Sequence, residues 1–116
     1  MDNLDFAKSC KAMGGVVLAG RCEKSVSFTN MKRQVVSRLV QISPVTGGYV
    51  ITEGSPLDSG FDQNIFVPKH NSPFGLAKQI ISAEGHPEKM MAVLENISDY
   101  DAEILESDSK IFDELA

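Results

Sequence analysis

One set of residues in this chain could support nucleophilic chemistry: Cys10 or Cys22 with His70 or His86, and Asp58 or Asp62 as the orienting carboxylate. A thiolate beside an imidazole held by a carboxylate is a nucleophile with its base, and distance along the chain does not prevent such groups from meeting. No motif fixes them in those roles. There is no phosphate loop, G-x-S-x-G elbow or G-x-G-x-x-G, and "TGGY" reads as a turn. A zinc site would draw on Cys10, Cys22, His70 and His86, but none of these stands in the close pairs of structural zinc sites. "DYDAEILESDSK" begins like a calcium loop, with acids at its first, third and fifth positions. It fails where Ile104 replaces the required glycine and Lys110 the bidentate glutamate. A small Cys/His enzyme is accordingly the third-ranked reading, and neither metal nor cofactor is expected.

The most informative stretch is the end, Ser98 to Ala116, with seven carboxylates and one lysine. Formal net charge is -5 over 116 residues, and it is lopsided: +2 for residues 1 to 58 and -7 for residues 59 to 116. An acidic surface favours basic partners. Direct nucleic-acid binding is not expected, because that depends on neutralising phosphates with cations. The basic concentration, Arg21, Lys24, Lys32, Arg33 and Arg38 with Phe28 nearby, is better explained as solvent-facing strand residues than as a single-strand platform.

The acidic end poses a packing problem. Ser98 and Asp101 approximate a capping box, so a helix can start there. Run unbroken to Leu115, it would put Tyr100, Ile104, Ile111 and Leu115 on one stripe, with Asp101 and Asp108 inside the same apolar arc. Burying unpaired carboxylates costs several kcal/mol. Either the helix breaks near Ser107, or lysines and arginines of the body meet these aspartates, or the face is not buried in the monomer. Asp99, Tyr100, Glu103, Glu106, Phe112 and Asp113 are the candidate partner-binding residues. Taken singly, each acid is better explained as part of a solvated face.

The elements that must position these groups are legible in part. "NLDFAKSCKAM" spaces Phe6, Cys10 and Met13 as a helix, continued in that spacing by Val17, with Asp2 and Asp5 in the first turn and Gly14 and Gly15 ending it. "VVLAGRC" and "KSVSFT" read as short strands. "QVVSRLVQISPVTGGYVITEG" reads as a hairpin; its rival is a helix capped by Asn30 that aligns Met31, Val35, Leu39 and Ile42. "EGSPLDSGFDQ" is a surface loop and "NIFVP" a strand limited by Pro68. "NSPFGLAKQIISAEG" is a helix with Ser72 as cap, Pro73 first, Phe74, Ala77, Ile80 and Ile81 inward and Gly85 as stop. "HPEKMMAVLENI" repeats that grammar with Met90, Met91, Leu94 and Ile97 inward.

The succession of "GGYVITEG", "NIFVP" and "SPFGLAKQI" resembles the sheet-then-helix plan of many small orphan proteins of phage and mobile-element genomes. The resemblance covers the middle third and transfers no site residue. It implies action without catalysis, by occupying a surface of a host or phage machine, as acidic inhibitors of defence nucleases do.

The expectation is an α+β domain spanning residues 1 to 116. Its antiparallel sheet has three to five strands, with a helix before it and two to three after it. Residues 1 to 70 are mixed helix and sheet, and residues 71 to 116 are helical with an acidic end. Two thiols in a chain this size read as small buried hydrophobes of a reducing cytoplasm. Arg21 before Cys22 argues against a lipoprotein cleavage site, and no run approaches the ~20 apolar residues of a membrane span. The leading function is a non-enzymatic acidic module that blocks a basic surface of a nucleic-acid-handling or defence complex. The alternative is a self-associating structural or assembly protein, such as a homodimer.

Overall fold

The computed structural model of the chain describes residues 1–56 and 61–105. Among them runs one six-stranded antiparallel sheet in sequential order, a meander. Its strands are β1 (Val16–Leu18), β2 (Arg21–Thr29), β3 (Val35–Val45), β4 (Gly48–Gly54), β5 (Gln63–Pro68) and β6 (Glu103–Ile104). The sheet exceeds the expected three to five strands because both margins recruit very short segments. β1 is three residues long and β6 two.

Helix α1 (Asn3–Ala12) precedes the sheet, and α2 (Pro73–Ala83) and α3 (Pro87–Glu95) follow β5. The caps follow side-chain chemistry. The Asp2 carboxylate accepts the Asp5 amide at 2.8 Å, and the Ser72 hydroxyl accepts that of Phe74 at 3.3 Å with Pro73 in the first turn. Such caps satisfy amides that the helix itself leaves without partners.

Segment 30–42 is strand from Val35 onward, not helix. Asn30 does cap something, but it is the hairpin turn: its side-chain oxygen accepts the amides of Lys32 and Gln34, each at 2.9 Å. The bonds that could have started a helix are spent on a turn. Val45 pairs with Gly48, so β3 and β4 join through Thr46 and Gly47 alone. "VVLAGRC" divides in the same way, with Ala19 and Gly20 as the two-residue turn between β1 and β2.

Register defines the buried face. Cys22, Ile42, Ile51 and Ile65 lie directly across from one another on four neighbouring strands, and Tyr49 lies across from Val67. Against them pack Leu76, Ala77 and Ile80 of α2 and Phe6 of α1, all buried. The Phe6 ring stacks on Tyr49 at 6.0 Å and tilts against Phe74 at 5.3 Å, so one aromatic joins both helices to the sheet. α3 lies against α2, with Met90, Val93 and Leu94 half-buried; Met91, expected inward, is exposed.

Two further sequence expectations are corrected. Cys10 of α1 and Cys22 of β2 are not free thiols but a disulfide, both fully buried, with Cα atoms 5.7 Å apart. Each points from its own element onto the same inner face, within bridging distance. Gly15 passes so close that a Cβ there would stand 2.9 Å from each sulfur. The second correction concerns Ser98, which starts no long helix. Ile97–Tyr100 is a single 3-10 turn stopped by Asp101 in the left-handed conformation (φ 54°), after which the chain becomes β6. Leu105 extends that pairing by donating its amide to the Asn64 carbonyl. Among the described residues, no helix is long and apolar enough to cross a membrane.

Candidate functional site

Among the described residues, Arg38 is the centre of a cluster of charged side chains. It shares the inner face with Val36, Val40 and Ile42, because side chains alternate along β3. An inward guanidinium needs carboxylates, and three elements supply them. Arg38 Nε donates to Glu53 Oε1 at 2.8 Å and Nη2 to the same atom at 2.5 Å. Nη2 also donates to Asp62 in the loop just before β5, and Nε lies 3.9 Å from Glu84 Oε2 at the end of α2. Glu53 lies on the diagonal of the β3–β4 ladder from Arg38, within side-chain reach.

The electrostatics are uneven. Burial lowers the Arg38 pKa, but the hydrogen bonds and charges of Asp62 and Glu53 outweigh it and the net shift is upward, so the guanidinium stays charged. Glu84 moves the other way. Burial, and then the neighbouring Glu53 carboxylate through its charge and through a hydrogen bond between the two carboxyl groups, push it up to about 7 against the partial opposition of Arg38. Its side chain is 4% exposed, and Oε1 has no hydrogen-bond partner.

This cluster borders a groove of ≈ 710 Å³ between the β2–β3 turn and the start of α3. Phe28, Met31 and Met90 give it an apolar lining, and the exposed Lys32 and His86 border it as well. Gly85 is required at its wall. Its φ is +79°, and a Cβ there would come within 2.8 Å of the Phe28 ring.

The candidate partner-binding residues of the acidic end divide between two places. Asp99 and Tyr100 line a shallow depression of ≈ 450 Å³ with Gln79, Ala92, Val93 and Asn96. Glu103, on β6, lies directly across from Phe66 and therefore on the sheet face turned away from the helices. Asp99 and Glu103 are both exposed, and neither forms an ion pair among the described residues. Glu106, Phe112 and Asp113 lie outside the described residues, as do Asp108, the proposed break at Ser107 and, among the candidate catalytic acids, Asp58.

Among the described residues, Asp101 meets neither lysine nor arginine. It accepts from Asn71 Nδ2 at 3.3 Å and lies 3.1 Å from His70 Nε2, and these two hydrogen bonds, His70's the larger, hold its carboxyl below the ordinary value. Asn71 also donates to the Tyr100 carbonyl at 2.9 Å and so ties the 3-10 turn to the loop after β5.

The Cys/His constellation is not assembled, because the two sulfurs are bonded to each other and His70 faces Asp101. Among the described residues, no group of three or more potential ligands is placed to hold a metal ion. Of the basic residues, Lys32 sits in the turn rather than on a strand face with Arg38, and Arg38 is half-buried rather than solvent-facing.

Sequence reasoning missed the cluster, yet it left a signal. Arg38 alternates with Val36, Val40 and Ile42, and Glu53 with Tyr49 and Ile51, which places opposite charges on the apolar side of two adjacent strands. Glu84 carries no comparable mark. Compared with known proteins, the chain matches no family model, no curated protein and no solved structure.

Proposed function

We propose that this chain is a non-enzymatic acidic binding module that engages a basic surface of a partner protein through its acidic end. The partner we infer belongs to a nucleic-acid-handling or defence complex, as the resemblance to small phage and mobile-element proteins implies. One observation supports the reading: among the described residues the exposed acids Asp99 and Glu103 form no ion pair, whereas Arg38 is engaged by Glu53 and Asp62. Surface charge left open in this way attracts an opposite surface and speeds its encounter.

The test is capture of a partner from host lysate at low and at high salt, beside a variant with Asp99, Glu103, Glu106 and Asp113 changed to lysine. Capture should fall as salt shortens the screening length, and the variant should lose it while keeping its thermal midpoint. Undiminished capture by the variant removes the reading.

A cytoplasmic place of action belongs to the same proposal, and the Cys10–Cys22 bridge bears against it, since such bonds persist mainly in oxidising compartments. Thiol trapping in the native source decides the matter.

A second reading, self-association, is favoured by the margin of the sheet. β1 forms an edge with Val16 58% and Leu18 51% exposed, an arrangement open to pairing with another chain. Particle size across a dilution series should then fall on dilution, and Val16→Lys should give monomer at every concentration.

A further inference from the structure

We infer that the groove between the β2–β3 turn and α3 receives the guanidinium of an arginine side chain presented by a basic partner, with Glu84 as its receiving carboxylate. The inference rests on the reading of the partner as a basic protein, but it places a contact away from the acidic end. Two independent observations carry it. The first is charge: among the described residues three carboxylates, Glu53, Asp62 and Glu84, border the groove against two cations, Arg38 and Lys32, a formal balance of -1.

The second is Glu84 Oε1, an oxygen of a side chain only 4% exposed that borders the groove and has no hydrogen-bond partner. Buried polar atoms of folded proteins are almost always paired, and Arg38 already gives its Nε and Nη2 to Glu53 and Asp62. A second guanidinium would supply the missing donor. Its planar fork matches a carboxylate, and its face and stem suit aromatic and thioether surfaces. Phe28, Met31 and Met90 provide these along the same groove.

The binding should be linked to protons. Glu84 gives up its proton near neutrality, so affinity should rise from pH 6 to pH 8. The other charged or titratable groups facing it are Arg38, Glu53, Asp62, Lys32 and His86. Of these, His86 is the imidazole, so His86→Gln serves as the control and should keep the pH dependence.

The full-length, disulfide-bonded chain would be titrated with acetyl-Gly-Arg-Gly-amide and with the same peptide carrying neutral citrulline, followed by backbone amide resonances. Saturable shifts at Phe28, Glu84 and Gly85 are expected with the arginine peptide only. Glu84→Gln should weaken binding at least tenfold at pH 8, and the milder Asp62→Asn about threefold, with thermal melts confirming that both fold. Absence of shifts, equal shifts with citrulline, or full affinity in Glu84→Gln overturns the inference. Shifts confined to Asp99–Glu103 overturn it too, while leaving the acidic-end reading intact. Groove binding combined with undiminished partner capture by the four-lysine variant would do the reverse.

Discussion

Glu84 shows how one side chain can set the pH response of a fold. Its carboxyl titrates near 7 in the folded chain, against an ordinary value of 4.5. The folded form therefore keeps a proton that the unfolded chain has already lost over that interval, and stability falls as pH climbs through it. Glu84→Gln mimics the protonated group. It should leave stability unchanged near pH 4 and raise it by about 3 kcal/mol at pH 8, read as a denaturant midpoint at each pH. A variant no more stable at pH 8 would show that the carboxylate is better compensated than its surroundings suggest. Its neighbour Gly85 behaves oppositely. With φ at +79° and the Phe28 ring in the way, Gly85→Ala should cost about 1–3 kcal/mol and broaden the amide signals of the groove.

At the scale of elements, the disulfide carries the clearest expectation. It closes a loop of sequence separation 12 between α1 and β2, and a bridge of that span stabilises by about 3 kcal/mol, largely through the unfolded chain. Cys10→Ala with Cys22→Ala should lower the denaturant midpoint accordingly; an unchanged midpoint would mean that α1 is held by Phe6 alone. Asn71→Ala tests the other clasp. Without its bond to the Tyr100 carbonyl, amide exchange across Ile97–Asp101 should quicken, at a cost of about 1 kcal/mol.

These elements also show what a sequence can convey. The α2 helix was legible to its cap and stop because Ser72, Pro73 and Gly85 act locally on their own backbone. The β3–β4 hairpin was legible because Val35–Ile42 and "YVIT" agree with the turn between them. β6 was not, since two residues join a sheet only after the tertiary fold brings Ile104 opposite Ile65. The bridge escaped for the same reason: nothing at Cys10 or Cys22 records that α1 lies across the first long strand. The charged cluster was half legible, through the parity of Arg38 and Glu53, while Asp62 and Glu84 arrive from a loop and a helix end whose approach no local pattern encodes.

For the whole molecule, the organising fact is a sheet covered on one face by α1 and α2 and carrying its charge at separate margins. The Arg38 cluster lies toward the β2–β3 turn, whereas Asp99 and Tyr100 lie beside α2 and α3. Two acidic places on one chain imply that partner binding has two salt-sensitive components. Single-site charge removal should then flatten the salt dependence of affinity without abolishing it, as log Kd against log salt would show. A slope untouched by either set of substitutions would deny both places a role. The sulfurs of Cys10 and Cys22 have a further consequence. Both are sealed beneath Gly15 and the sheet, so a reductant can attack only those molecules in which the first helix has already lifted away. The speed at which dithiothreitol severs the bond is therefore a clock for that lifting, and can be read with a simple thiol dye.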